Sequence, residues 1–416
     1  MKKIIQFGTP EQGAIDQAMN CLNEAEAFAL MGDNHKGYGM PVGGVAVYKD
    51  KISPAGVGFD IACGNKAIKL NIRYDDVKDK LPEIAQKIWD TVSFGIGRKN
   101  DTRVEDELFN DPVWEEVDFL KSNPDLKKKA EGQLGTIGSG NHYVDVFKDE
   151  EGYIWVGVHF GSRGLGHTIA SHFMKLAGDN VNIMDETPHC LDTSTKDGQD
   201  YVRCMSLAGR YAYAGRDWVC QTVADIIGNF VTNKSFDGPI IMDEVHNHHN
   251  FAWYEEHNGE FFWVVRKGAT PAFPDQRGFV GSNMEDNSVI LKGIDSEKSK
   301  EAFYSTMHGA GRIMSRTQAA GKRKKNIIDR VRPDGTTYKF TEWTQEGGSV
   351  DFDAVKERVS SKGIILKGAG ADEAPEVYKK LSEVLKDHEG TVEVLHTLEP
   401  LIVCMAGRDE FDPYKD

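Results

Sequence analysis

Short runs rich in β-branched and aromatic residues recur along the chain at KAIKLNI (66–72), YIWVGVHF (153–160), PIIMDEVHN (239–247), FFWVVRKGA (261–269), SVILKG (288–293) and GTVEVLHTLEPLIVCMAG (390–407), and they predict strands. In FAWYEEHNGEFFWVV the pair Asn258-Gly259 separates two aromatic-rich stretches, the pattern of a hairpin closed by a two-residue turn. Residues 201–231 and 372–386 place apolar positions at helical spacing. In the second, Asp372 stands as an N-cap and Val377, Leu381, Val384 and Leu385 share one face. Residues 11–30 also read as helix and lead into MGDNHKGYGMPVGGVAVY, a Gly-rich loop followed by a strand. Residues 85–130, charged and weakly patterned, read as a helical surface insertion. Strands and helices without regular βαβ alternation predict an α+β fold with a mixed sheet. The chain shows no repeat, low-complexity tract or linker, which predicts one domain over 1–416 with residues 408–416 as a C-terminal extension.

Composition narrows the class. A chain of 416 residues that is 39% hydrophobic can bury a large core. No run approaches the roughly 20 apolar residues that span a bilayer, and the opening MKKIIQFGTPEQG lacks the apolar stretch of a secretory signal, so a soluble cytoplasmic protein is expected. The cysteines Cys21, Cys63, Cys190, Cys204, Cys220 and Cys404 form no C-x-x-C pair, which argues against a disulfide framework. A formal charge of −15 excludes a protein that coats nucleic acid through its overall field. One local strip runs the other way. Arg312, Arg316, Lys322, Arg323, Lys324, Lys325, Arg330 and Arg332 follow closely on His308, and they read either as a solvated face or as a phosphate-binding surface.

Candidate chemistry sits in Gly-rich turns that end on metal-type or nucleophilic side chains: GVGFDIACG, GTIGSGNHYVDV, GVHFGSRGLGH and HGAGRIMSR. Glycine costs backbone entropy and lets the main chain approach a ligand closely, so Asp, Cys and His set beside it suggest a built site. Asp60 and Cys63 lie three residues apart in one turn, His142 follows Gly140-Asn141, and His159 and His246 end predicted strands. This mixed N/S/O set suits a first-row transition metal rather than Mg or Ca. A thiolate can bridge two metals, and two metals roughly 3.5–4 Å apart can clamp both ends of a phosphoryl displacement. His248 and His249 adjoin His246, but are read as surface or supporting residues. GTIGSGNH lacks the ending of a P-loop, RGLGHT lacks a dinucleotide fingerprint, and HNHHN is not HEXXH.

Together with GDNHKGYGMPVGG, EVHN, RKGAT and ADEAPEVYK, these strings resemble the RtcB family of RNA-splicing ligases, in the same order along nearly the whole chain. The resemblance implies an RtcB-like fold with a dinuclear metal site in a central cleft. It also implies joining of RNA 2′,3′-cyclic phosphate or 3′-phosphate ends to 5′-hydroxyl ends with GTP and two Mn²⁺ ions. Carried over by position, Asp60 and His142 would bind one metal, His159 and His246 the other, and Cys63 both. His308 would attack GTP to form a His–GMP phosphoramidate, from which GMP passes to the RNA 3′-phosphate. Asp33 would act as acid/base or support. Arg163, Arg312 and Arg316 would hold RNA phosphates. Asn141, His142, Asp145, His246, Asn247, Ser282, Ser288, His308, Gly309, Ala310, Gly311 and Tyr378 would contact the nucleotide. Read without the family, the serines could be turn residues, Tyr378 core packing, and the arginines surface ion pairs.

The departures from the family pattern are Ala406 where a lysine is usual, Val265 where a histidine precedes RKGAT, the turn VGSNMEDN with one residue more, and Asp145 in place of glutamate. All are expected toward the nucleotide side, and none at a metal ligand or His308. A guanylyl cap former or cyclic phosphodiesterase that does not seal, and a non-catalytic RNA-end-binding protein, stand as alternatives. RNA with broken ends is the expected partner.

Overall fold

The computed structural model describes residues 3–180, 184–231, 238–332 and 335–407. Two mixed sheets with helices packed around them make an α+β architecture. The larger sheet runs in the order Arg277–Val280, Ser288–Gly293, Val392–Gly407, Tyr143–Lys148, Tyr153–Phe160, Gly64–Arg73, Ile241–His248. These neighbours pair antiparallel, and Ile365–Ala369 adds a parallel strand against Val392–Gly407. The two ends of the order are tied together by the Asn247 side chain, which accepts from the Phe279 N–H at 3.3 Å and donates to the Arg277 carbonyl at 3.0 Å. The smaller sheet runs Ile4–Gln6, Ala27–His35, Val42–Tyr48, Glu260–Lys267, Asn250–His257.

All six predicted strand segments form strands. The Asn258-Gly259 hairpin closes as expected, with both residues at positive φ (55° and 82°) as a two-residue primed turn requires. The helix expected over 201–231 is part of the 35-residue helix Lys196–Phe230, which Val231 follows as C-cap; the Thr195 hydroxyl caps its start and accepts from the Gly198 N–H. Its buried Val219, Cys220, Val223 and Ile227 pack with Ile68, Leu70, Val156 and Val158 of the large sheet.

Three expectations need correction. The helix expected over 11–30 stops at Cys21, and Ala27–His35 is a strand buried along most of its length, so Asp33 sits on a strand rather than in a loop. A buried strand has no polar alternation, and its run of apolar residues cannot be told from a helix by pattern alone. The helix expected over 372–386 is two short 3₁₀ turns, Ala371–Glu373 and Pro375–Val377, followed by the helix Leu381–Asp387. Pro375 disfavours helical geometry in the residue before it, and Asp372 is not the N-cap of these elements; its carboxylate pairs with Arg316. The third concerns 85–130, which is helical in pieces but does not ride on the surface. Leu108, Phe109, Trp114, Val117, Leu120, Leu126 and Ala130 are buried in the same core cluster as Tyr201, Met205 and Tyr211 of the long helix. The 408–416 extension lies outside the described residues.

Trp114 is 2% exposed and its indole N–H donates to the Leu108 carbonyl at 3.0 Å. Trp114→Ala is therefore expected to cost about 3–5 kcal/mol in denaturant unfolding. A surface insertion would lose no more than about 0.5 kcal/mol.

Candidate metal centre and nucleophile

The candidate site lies at one end of three adjacent strands of the large sheet. The short helix Pro54–Val57, capped by Ser53, delivers the chain into a turn in which the Cys63 N–H donates to the Asp60 carbonyl at 3.0 Å. Ala62 sits at φ 60°, a left-handed value unusual for a residue with a side chain. Cys63 thus stands at the mouth of strand Gly64–Arg73. In the flanking strands His159 lies opposite Asn65, and His248 lies opposite Gly64. A glycine at 161 leaves the space that the Asp60 carboxylate occupies.

Two overlapping groups of donor atoms result, each within 4.8 Å: Asp60, Cys63 and His142, and Cys63, His159 and His249. The Cys63 sulfur is 3.6 Å from Nε2 of both His142 and His159. Each ring uses its other nitrogen on a backbone or amide oxygen, Nδ1 of His142 on the Ile137 carbonyl at 3.0 Å and Nδ1 of His159 on Asn65 Oδ1 at 2.5 Å. With Nδ1 donating, each Nε2 turns a lone pair toward the sulfur, which is how metal-binding histidines are oriented. Nδ1 of His249 is buried without a partner among the described residues. Burial, then the neighbouring imidazoles, hold His159 and His249 well below the usual histidine range, so both are neutral and able to donate a lone pair. Burial and the Asp60 carboxylate push the Cys63 thiol up. Neutral imidazoles, a thiol and a carboxylate around a common point fit a transition metal.

His246, expected as a ligand, is absent from both groups, and His249, read as a bystander, takes the place. Successive residues of a strand face opposite sides of the sheet. His246 and His248 turn toward helix Lys196–Phe230, where His246 Nε2 accepts from Arg216 Nε at 2.8 Å and His246 Nδ1 lies 3.3 Å from Asp217. Asn247, expected at the nucleotide, spends both ends of its amide on the backbone at 277 and 279. His249, just past the strand, faces the other way and stacks on His159 with ring centroids 5.1 Å apart.

The His249 ring also meets His308, at 4.7 Å between centroids. One carboxylate oxygen of the fully buried Asp33 accepts from His308 Nδ1 at 2.6 Å, from the His308 N–H at 3.0 Å and from the Gly309 N–H at 3.2 Å. Burial pushes the Asp33 carboxyl up, but His308 and these donors outweigh it and hold the group below the usual carboxylate range. Asn65 joins the two halves of the site. Its Oδ1 accepts from His159, and its amide N–H groups donate to the Phe279 carbonyl at 2.9 Å and the His308 carbonyl at 3.2 Å. Sequence reasoning passed over Asn65, although its place two residues after Cys63 was a signal.

The remaining expected residues spread around this centre. Asn141 donates to His159 Nε2 at 3.3 Å. Among the described residues, Asp145 is buried with Oδ1 unpartnered, and burial pushes its carboxyl well up. The Ser282 hydroxyl and the Tyr143 hydroxyl are likewise buried and unpartnered among the described residues. Tyr143, not singled out in the sequence, stacks on His159 at 5.5 Å, and its hydroxyl lies against Gly281, next to Ser282. Ser288 accepts from the Ser282 N–H at 3.1 Å. Gly309, Ala310 and Gly311 carry the chain from His308 past the Asp33 backbone, which leaves no room for a side chain at 311. Arg163 donates to the Thr136 hydroxyl and the Gly95 carbonyl. Arg312 reaches Tyr378, Glu373 and the Asp372 carbonyl, and Arg316 pairs with Asp372 and Glu373 while lying against Gly140. The basic strip beyond Arg316 forms one strand of a ribbon, Lys322–Val331 with Thr337–Glu346, rather than a helix face or loop. The side chains of Arg323 and Lys325 lie outside the described residues. Val265, expected toward the nucleotide, is buried in the core under Pro54–Val57.

Fold and centre define an α+β protein with a Cys/His/Asp metal-type cluster packed against a carboxylate-bound histidine. The family model described as tRNA-splicing ligase RtcB matches residues 17–346, and the chain belongs to this family. It is 31% identical to the RNA-splicing ligase RtcB of Escherichia coli strain K12, over 91% of this chain and 90% of that one. It is 30% identical to the tRNA-splicing ligase RtcB of Archaeoglobus fulgidus, over 95% and 91%. It is likewise 30% identical to that of Methanococcus maripaludis, over 91% and 88%. Among the described residues no helix is long and apolar enough to cross a membrane.

Equilibrium dialysis against Co²⁺ tests the donor sets. His249→Ala is expected to weaken binding at the Cys63–His159 side at least about tenfold, His246→Ala to keep the wild-type stoichiometry, and Cys63→Ala to lose both sides together. Equal losses from His246→Ala and His249→Ala would contradict the placement.

Proposed function

We propose that the chain is a GTP- and Mn²⁺-dependent RNA ligase that joins RNA 2′,3′-cyclic phosphate or 3′-phosphate ends to 5′-hydroxyl ends. The observation that carries this reading is the Asp33–His308 pair set beside the donor cluster. Asp33, held as a carboxylate, accepts a hydrogen bond from Nδ1 of His308 and so keeps the ring proton on that nitrogen. With the proton on Nδ1, the ring presents its Nε2 lone pair as the nucleophile. The two backbone N–H groups on the same carboxylate fix the ring's place, so attack needs no reorientation.

Nε2 attacks the α-phosphorus of GTP and expels pyrophosphate, forming the His308–GMP bond. An oxygen of the RNA 3′-phosphate displaces His308 from that phosphorus, giving RNA 3′-pp-G. The RNA 5′-hydroxyl then attacks the 3′-phosphate, loses its proton, and expels GMP. Asp60, Cys63 and His142 would hold one Mn²⁺ and Cys63, His159 and His249 a second; bound there, the ions supply charge neutralisation on the phosphates. On the nucleotide side, Asp145 Oδ1, the Ser282 hydroxyl and the Tyr143 hydroxyl are buried polar atoms whose missing partners a bound nucleotide can supply. Arg163, Arg312 and Arg316 are assigned to RNA phosphates. The carboxylates of Asp372 and Glu373 now engage Arg312 and Arg316 and would give way to them.

Intact-protein mass spectrometry after incubation with Mn²⁺ and each NTP is expected to show a GMP-sized gain on wild type. His308→Ala should show none, and Asp33→Asn should form the adduct at least about 100-fold more slowly, the lower end of what a positioned acid/base group contributes. An adduct on the His308→Ala protein would remove the nucleophile assignment. An adduct with another nucleotide would reassign the base pocket.

A further inference from the structure

Resting on the metal reading above, we propose that Arg216 is the positioning residue of the metal centre, holding the three donors Cys63, His159 and His249 in register through their chain neighbours. Arg216 is fully buried on helix Lys196–Phe230, on the face of the sheet opposite the donors. Its Nη1 donates to the Ala62 carbonyl at 3.0 Å and the Phe160 carbonyl at 2.6 Å, and its Nη2 meets His248 Nδ1 at 2.9 Å. Its Nε donates to His246 at 2.8 Å. Ala62 precedes Cys63, Phe160 follows His159 and His248 precedes His249, so one planar group grips the backbone or ring next to each donor.

Two further features fit this role. Ala62 is held at φ 60° with its carbonyl on the guanidinium, and Gly64 lets the Asn247–His248 backbone and Nη2 close in where a side chain would stand. Its four hydrogen-bonded partners are two backbone carbonyls and two imidazoles, none of them a carboxylate. A buried cation without a bonded carboxylate is a costly way to fill space, and an apolar side chain would serve packing alone. The fork geometry of guanidinium is what lets one side chain reach two strands and the turn that leads into the third, and an ammonium cannot reproduce it.

The test uses Co²⁺ as the probe. Arg216→Lys keeps the charge and much of the volume; it is expected to bind Co²⁺ at least tenfold more weakly than wild type and to shift the thiolate-to-cobalt charge-transfer band. Arg216→Ala should lose more affinity and recover part of it, with the band, on addition of ethylguanidinium. Wild-type affinity and spectrum in Arg216→Lys would overturn the proposal. An Arg216→Ala protein that folds but is not rescued would overturn the positioning role. A wild-type protein with no thiolate band would overturn the metal reading itself.

A separate observation concerns the ribbon Lys322–Val331 with Thr337–Glu346, which pairs with no other strand among the described residues. Residues 322–346 hold seven Lys/Arg against four Asp/Glu in a chain whose formal charge is −15. Lys322, Lys324 and Arg330 alternate along one face and Arg332 continues it, all exposed. Phe340 and Tyr338 lie across that face, with the Arg330 guanidinium 3.8 Å over the Phe340 ring and Arg332 5.0 Å over Tyr338. The ribbon springs from the rim of the site. Its base is bonded to helix Arg316–Ala320 through Gly321 to Thr317, Ser349 to Gln318 and Val350 to Ala319. The geometry points to an arm that tracks the phosphate backbone of the single-stranded RNA entering the site, with cations interleaved by rings as such strands require.

In fluorescence anisotropy with a 3′-phosphorylated single-stranded RNA, the combined change Lys322→Gln, Lys324→Gln, Arg330→Gln and Arg332→Gln should weaken binding. It should also reduce the slope of log Kd against log salt by about 2–3, at about 0.7 for each phosphate that is no longer neutralised. Nucleotide adduct formation should stay at the wild-type level. Unchanged affinity, or weaker binding with an unchanged salt slope, would overturn the arm.

Discussion

The backbone ladder between Gly64–Arg73 and its two neighbours is the constraint on which the site depends. Pairing Asn65 with both His159 and Asn247 fixes, residue by residue, which side chains face His308 and which face the long helix. A shift of one residue would exchange the faces, sending His246 and His248 toward the nucleophile and His249 away from it. The register is held from outside the ladder as well. The Asn247 amide fastens one edge of the sheet to the strand at 277–280, and Lys66, paired with Asp217 and Glu244, fastens the helix side. Apolar burial on the helix side then makes the register expensive to change, since Ile68, Val156 and Val158 would have to leave the core.

On the other face, polar ties replace apolar packing. Asn65 connects a metal-type histidine to the carbonyl of His308, Asp33 connects the ring of His308 to its own backbone, and His249 stacks between the two. Each of these side chains is buried or nearly so, and a buried polar network is stable only when its members are satisfied. Among the described residues, unsatisfied buried atoms on His249, Asp145, Ser282 and Tyr143 lie where an ion and a nucleotide are proposed to sit, while others, such as those of Tyr48 and Tyr201, lie in the core away from it.

Much of the fold was legible in the sequence because antiparallel strands and a Gly-closed hairpin leave strong local patterns. Two of the failures have a common cause, while the third, at 372–386, came from Pro375. Ala27–His35 and the segment 85–130 were misread because burial in this molecule comes from long-range contacts that period-based reasoning cannot see. At the site, Asp60, Cys63, His142, His159 and His308 were all picked out, and the structure gathers them. His246 and Asn247 were chosen over His249 because the string EVHN matched a motif, whereas the outcome depended on sheet alternation and on where the strand ends. Three histidines within four positions cannot be sorted by spacing until the register is known.

Charge explains why such a centre can exist inside an acidic protein. Burial works against the charged form at three of the donors: it keeps the imidazoles of His159 and His249 neutral and raises the Cys63 thiol. Neutral imidazoles are the form that binds a metal, and a divalent ion bound here would displace the thiol proton and supply the positive charge that this pocket lacks. The same logic separates the two tasks of the molecule. Under the proposed function, substrate phosphates would meet Arg163, Arg312 and Arg316, cations that stay charged at any working pH. Nucleophilic chemistry falls to a histidine whose single carboxylate partner fixes which nitrogen carries the proton. With a formal charge of −15 the overall field disfavours a polyanion, so the proposed function places RNA binding on local cations rather than on the chain as a whole.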